Sequence, residues 1–233
     1  MMGRFILSIT ALLFSAICLA DMNDDPILFM VKFDKLEIQD TEEDTPVVWD
    51  ADAWIGKDLN KLWLKSEGEY IDGTTHEIES SVLYSRAIAP FWDAQLGYFQ
   101  QATADANRNY ASFGFKGLAP YFFETDISLS IGEHGQSRLN LDFEYEFLLT
   151  QRLILTPEIE LNAYGKDDQE MGNGSGFSDS EVGLRLRYEI RREFAPYIGI
   201  NWQNKFGNAA DFARQQGEST ADSQLVIGIR AWF

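Results

Sequence analysis

Cysteine is almost missing from this 233-residue chain, and the one copy, Cys18, excludes a disulfide framework and any cysteine-rich metal site. Basic side chains are few as well, 19 Lys and Arg against 37 Asp and Glu, for a formal net charge of −18. Binding a phosphate backbone needs a basic face, so nucleic acid is excluded as a partner. Long apolar runs are absent beyond the N-terminal segment, where none approaches the roughly 20 residues of a membrane helix. What the chain does have is 45% hydrophobic and 14% aromatic residues, too many for disorder. Arithmetic alone suggests an acidic soluble protein of one large domain or two small ones. The order of the residues says otherwise.

Residues 1–20 read as a secretory signal. Arg4 supplies the positive start, Phe5 to Leu19 the apolar core, and Cys18 and Ala20 the small positions before a cut ahead of Asp21. The short core and the acidic residues that follow it argue against a retained membrane helix, and Ile17 before Cys18 argues against a lipoprotein. Residues 21–46 form an acidic N-terminal segment in which a first strand can begin near residue 27; residues 47–233 carry the main pattern.

That pattern has period two. Leu139, Leu141, Phe143, Tyr145, Phe147 and Leu149 alternate with Asn140, Asp142, Glu144 and Glu146. Leu153, Leu155, Ile159, Leu161 and Ala163 share one face against Glu158, Glu160 and Asn162, and Val182, Leu184, Leu186, Tyr188 and Ile190 oppose Glu181, Arg185, Arg187 and Glu189. Such alternation predicts strands with one apolar and one polar face, and no useful length shows helical periodicity. A soluble sandwich alternates too, but these segments run about 10 to 13 residues, nearer a tilted membrane strand than a soluble one. Whole rows of charge suit a water-filled lumen. The chain also ends in Leu225, Ile227, Ile229, Ala231 and Phe233 on one face, which resembles the terminal aromatic strand that outer-membrane assembly machinery recognises. The expected fold is all-β: an antiparallel transmembrane β-barrel of the bacterial outer membrane.

The candidate strands are 27–38, 47–56, 61–71, 74–87, 91–101, 109–117, 120–132, 137–149, 152–165, 179–190, 194–206 and 222–233. They number about 12, even as a bacterial barrel requires, with about 10 and a periplasmic N-terminal segment as the fallback. Short connections (57–60, 88–90, 118–119, 150–151, 191–193) fall on the periplasmic side, and longer ones (102–108, 166–178, 207–221) outside. Ala89-Pro90-Phe91, Ala119-Pro120-Tyr121 and Ala195-Pro196-Tyr197 are each expected to open a strand and set an aromatic in the interfacial girdle. Pro157, inside a strand, predicts a bulge.

On this register the inward face is rich in carboxylates: Glu67, Glu69, Asp142, Glu144, Glu146, Glu158 and Glu160, with Glu77, Glu79, Asp93, Glu124, Asp126, Glu181 and Glu189 beside them. Lys65, Arg185, Arg187 and Arg230 are interspersed, so one reading is a lumen braced by opposite charges. The functional reading is a cation-attracting interior, since rings of Asp and Glu favour cations. The candidate metal ligands are His76, His134 and Met171, on or beside external loops, and Met30; imidazole and thioether suit copper. An equal alternative is that the two histidines and the loop methionine are sparse loop residues that share no site. The acidic run 166–170 with Gly172, Gly174 and Gly176 offers oxygen ligands without the EF-hand spacing.

Several longer stretches resemble one family. They are Trp49-Asp50-Ala51-Asp52-Ala53-Trp54, Leu62-Trp63-Leu64-Lys65-Ser66-Glu67-Gly68-Glu69, residues 83–93, Gly117-Leu118-Ala119-Pro120-Tyr121, residues 149–155, Tyr164-Gly165-Lys166-Asp167-Asp168, residues 183–197 and Asp211-Phe212-Ala213-Arg214. Over about residues 47–233 the chain is similar to the copper resistance protein B family. That resemblance implies an outer-membrane barrel of a copper resistance system, with a periplasmic multicopper oxidase as a partner. Many members carry a Met- and His-rich segment before the barrel, whereas residues 21–46 here offer only Met22 and Met30.

The expected function is to bind copper, as Cu(I) or Cu(II), or pass it across the outer membrane, with membrane lipid around the barrel. Two alternatives stand beside it: an outer-membrane protease or lipase, and a purely structural barrel. Glu133 beside His134 and Glu77 beside His76 keep the enzyme in view. Strand neighbours point to opposite faces, however, and no Gly-x-Ser-x-Gly elbow occurs.

Overall fold

The computed structural model describes residues 25–41, 44–71, 73–104 and 106–233. The export signal at 1–20, with Cys18, and Met22 lie outside the described residues. The strands are β1 (Leu28–Asp40), β2 (Val47–Gly56), β3 (Asn60–Ile71), β4 (Thr74–Ala89), β5 (Trp92–Thr103), β6 (Asn107–Ala119), β7 (Phe123–Gly132), β8 (Ser137–Glu144), β9 (Phe147–Leu148), β10 (Leu153–Tyr164), β11 (Gly176–Tyr188), β12 (Phe194–Lys205) and β13 (Ala221–Trp232). Each pairs antiparallel with its chain neighbours, β8 and β9 share one stave, and β1 pairs with β13, which closes a twelve-stave barrel.

Closure follows from the alternation. Backbone polar groups in a bilayer must pair internally, and only a closed sheet leaves no edge. Ile38, Leu64, Leu96, Ile131, Ile198 and Ile227 stand exposed on the outside, where lipid covers them. Their neighbours in sequence point into a charged interior. Loops 165–175 and 206–220 mark the external end, because outer-membrane barrels carry their longer loops outside. At the other end Val31 and Phe233 exchange backbone hydrogen bonds of 2.8 and 3.1 Å, tying the last residue to the first strand.

Four local features differ from the expectation. The register runs unbroken past Pro157, without a bulge: Glu158 faces Glu144 and Leu155 faces Phe147. Tyr145 N–H still donates to Pro157 O at 3.1 Å, but proline has no N–H to return, so the stave is split into β8 and β9 instead. Pro157→Val is expected to restore that bond and stabilise the barrel by about 0.5–1.5 kcal/mol, seen as a higher urea midpoint. The Ala-Pro-aromatic motifs also divide: Pro90-Phe91 and Pro120-Tyr121 are the turns themselves, whereas Pro196 lies within β12. Phe91 and Tyr121 are exposed at the periplasmic rim, but Tyr197 is 4% exposed and faces inward.

The third difference is a bulge in β1, where Asp34 is extra between Phe33, opposite Ala51, and Lys35, opposite Asp50. Both Asp34 and Lys35 then line the lumen. The fourth is a helix, α1 (Gly207–Gln216), where only loop was expected. Its buried face is Ala209, Ala210 and Ala213, three small residues too few to register as an apolar stripe.

Candidate functional site: an acidic lumen

Because strands alternate, every inward carboxylate meets the inward residue of the next stave. Asp50 stands opposite Glu67, and Glu67 opposite Glu79. Glu69 faces Glu77. Glu124 faces Glu144, which faces Glu158. The longest row runs Asp126, Asp142, Glu160, Glu181 over four staves. Like charges directly opposite one another destabilise a sheet by a few tenths of a kcal/mol per pair or more, so stability alone does not account for these rows.

Cations on neighbouring staves and across the barrel compensate part of the charge. Lys35 meets Glu158 at 2.5 Å, and Arg185 bridges Glu158 at 2.7 Å and Glu37 at 2.9 Å. Glu37 is 1% exposed and also accepts from the Tyr197 hydroxyl at 2.8 Å and the Gln39 amide at 2.9 Å. The close packing depends on Gly228, whose Cβ would lie 2.6 Å from the Tyr197 ring. Lys65 reaches Asp126 at 2.6 Å, and Arg138 reaches Glu79 at 2.5 Å. Arg230 reaches Asp34 at 3.1 Å and Glu146 at 3.1 Å. These pairs brace a narrow barrel. Asp50, Glu67 and Asp142 have no hydrogen bond or ion pair among the described residues, yet they line the space inside.

That space is two cavities in series. The larger, about 430 Å³, occupies the middle and periplasmic part. The smaller, about 290 Å³, lies under the external loops. Lys35, Glu67, Glu79, Arg138 and Glu160 line both and form the neck between them.

Loop 165–175 and α1 cap the external mouth. Arg108 on the β6 wall holds Asp168 at 2.6 Å and Glu170 at 2.7 Å, and Gln136 donates to Asp168 at 2.7 Å. Asn173 donates to Gln101 at 3.2 Å. Asn208 of α1 and the Ser175 N–H donate to Asp167, and these bonds hold its carboxyl below the usual carboxylate range. The loop's carboxylates thus serve to dock it.

The four candidate metal ligands are spread along the barrel. His76 is the extra residue of a bulge in β4 at the external end, and it is exposed. His134 is exposed in the β7–β8 turn at the same end, with φ of 58°. Met171 is 8% exposed and turns down from the cap to line the outer cavity. Met30 faces Trp54 near the periplasmic end. All seven lumen carboxylates of the sequence reading do face the interior: Glu67, Asp142, Glu144, Glu158 and Glu160 line the larger cavity, Glu69 the outer one, and Glu146 bonds Arg187 and Arg230. Sequence reasoning missed Asp34, Lys35, Glu37 and Asp50. A signal was available, since Met30, Lys32 and Asp34 are in one phase and Lys35, Glu37 and Gln39 in the other.

Comparison with known proteins agrees with this architecture. The family model described as copper resistance protein B precursor (CopB) matches residues 27–233. Copper resistance protein B of Escherichia coli is 42% identical over 212 residues, covering 91% of this chain and 72% of that one. A copper resistance protein B homolog of Pseudomonas syringae pv. tomato (strain ATCC BAA-871 / DC3000) is 44% identical over 200 residues, covering 86% and 68%. Among solved structures, the NanC porin superposes with a TM-score of 0.58 at 12% identity, over 88% of this chain and 99% of its own, a likeness of fold alone. With a barrel of this build, a lumen of this charge and a family match over nearly all the described residues, the chain belongs to the copper resistance protein B family.

Proposed function

We propose that this outer-membrane barrel binds copper ions in its acidic lumen and passes them across the membrane, without acting as an enzyme on any substrate. The observation that carries the reading is the set of directly opposed carboxylate rows around the lumen. Their mutual repulsion is relieved by a cation, so the interior concentrates copper over anions and neutral solutes. On this reading His76, His134 and Met171 meet the ion at the external end, and Met30 at the periplasmic end, where a multicopper oxidase would exchange copper with the barrel. Glu67 and Glu160 at the neck touch the ion on its way through.

Copper flux into proteoliposomes tests it. The refolded barrel is expected to raise flux over empty vesicles. Glu67→Gln should lower it through the neck, and His134→Ala and Met171→Ala through loss of capture. No barrel-dependent flux and no bound copper would sink the reading.

A further inference from the structure

We propose that the periplasmic part of the lumen holds copper as Cu(II), in an all-oxygen site of Glu124, Glu144 and Glu146 with the Thr156 hydroxyl beside them. The inference rests on the copper reading and names the oxidation state and the place. One carboxylate oxygen from each of the three glutamates lies within 4.8 Å of the others, a spacing that small side-chain rotations close around a single ion. Glu124 opens β7, Glu144 ends β8, and Glu146 sits in the gap that Pro157 leaves between β8 and β9.

Thr156 is the independent sign of a ligand. It is 5% exposed and lines the same cavity as Glu124 and Glu144. Its Oγ1 is buried with no hydrogen-bond partner among the described residues. A buried hydroxyl left unpaired costs free energy, and such groups in native structures are met by water or a ligand. The cations facing the site are Arg230, at 3.4 Å from Glu144 and 3.1 Å from Glu146, and Arg187, at 2.6 Å from Glu146. Arg230 is shared with Asp34 and Arg187 with Glu189, so the surroundings stay anionic. Glu124 has no hydrogen bond or ion pair among the described residues and is the carboxylate free to bind.

The donor set selects the oxidation state. Cu(I) seeks thioether or thiolate sulfur, and among the described residues no Met, Cys or His lines the larger cavity. Oxygen ligands suit a divalent ion, and among the first-row divalents copper binds a given nitrogen or oxygen site most tightly.

The test titrates the refolded full barrel separately with Cu(II), with Cu(I) under anaerobic reductant and with Ca(II), and records the Cu(II) electron paramagnetic resonance spectrum. Cu(II) should bind more tightly than Ca(II) and show oxygen coordination. Glu124→Gln, which breaks no ion pair, should weaken Cu(II) about tenfold and leave Cu(I) binding unchanged. Thr156→Val should weaken Cu(II) less and supplies a second measurement if the first variant refolds poorly. Unchanged Cu(II) affinity in both variants, sulfur or nitrogen coordination that persists in a His76→Ala, His134→Ala, Met171→Ala background, or Ca(II) binding as tight as Cu(II) would each overturn the site. Binding of Cu(I) alone would overturn it while leaving the copper reading intact, and binding of neither would end both.

Discussion

Arg185→Ala is expected to cost the barrel about 3–5 kcal/mol, the range for removing one partner of a buried ion pair. The guanidinium donates to Glu37 at 3.0 and 2.9 Å and to Glu158 at 2.7 Å. Without it Glu158 keeps Lys35, but Glu37, almost fully enclosed, keeps only neutral donors. The result would appear as a lower denaturant midpoint followed by tryptophan fluorescence. Arg185→Lys should recover only part of the loss, because one ammonium does not reproduce a fork that spans two carboxylates. Arg185→Met combined with Glu37→Gln should recover more, because the stranded charge is then removed. A wild-type midpoint for Arg185→Ala would show that the network does not hold the staves together.

Arg108→Ala is expected to open the external mouth. The cap is fastened to the wall chiefly by the two-pronged bond from Arg108 to Asp168, at 2.6 and 3.0 Å, whereas its bond to the exposed Glu170 adds little. Charge-assisted bonds of this kind contribute about 1.5–3 kcal/mol, which shifts a closed-to-open ratio by about ten- to a hundredfold. Single-channel recording in a planar bilayer should show longer or more frequent open events, and Asp168→Asn should show a weaker form of the same change. If Arg108→Ala conducts as the wild type does, the cap does not govern access to the lumen.

Much of the fold was legible from residue order, because a barrel writes itself as simple alternation. The wall from 137 to 190 illustrates this: most apolar residues assigned outward there have an inward carboxylate, arginine or amide as a neighbour (Leu155, between Ile154 and Thr156, does not), and the staves begin and end within a few residues of the expected places. What alternation misses is a change of phase. The β1 bulge moves Lys35, Glu37 and Gln39 to the inside; the sequence carries it only as a switch of polar phase, and the pairing with β2 and β13 shows it to be a bulge. Proline placement escapes alternation for a related reason. Whether Pro157 bulges a strand or only deletes one bond depends on whether its partner strand keeps register, which is a property of two strands together.

By itself, the sequence determined the class, the number of staves, the membrane band and the surplus of acid inside. Each follows from local chemistry repeated along the chain: which residue is apolar, which is charged, and how often they alternate. Its long resemblance to one family also pointed to copper. Only the tertiary structure decided which acids are compensated and which stand free, because Lys35 and Glu158, Arg138 and Glu79, or Arg185 and Glu37 meet across a lumen that exists only once the sheet has closed. The same closure separates Met30 from His76, His134 and Met171, and lowers a ten-residue helix and its loop onto the mouth. Pairing between distant staves is a matter of curvature and stagger, and no single strand carries that information.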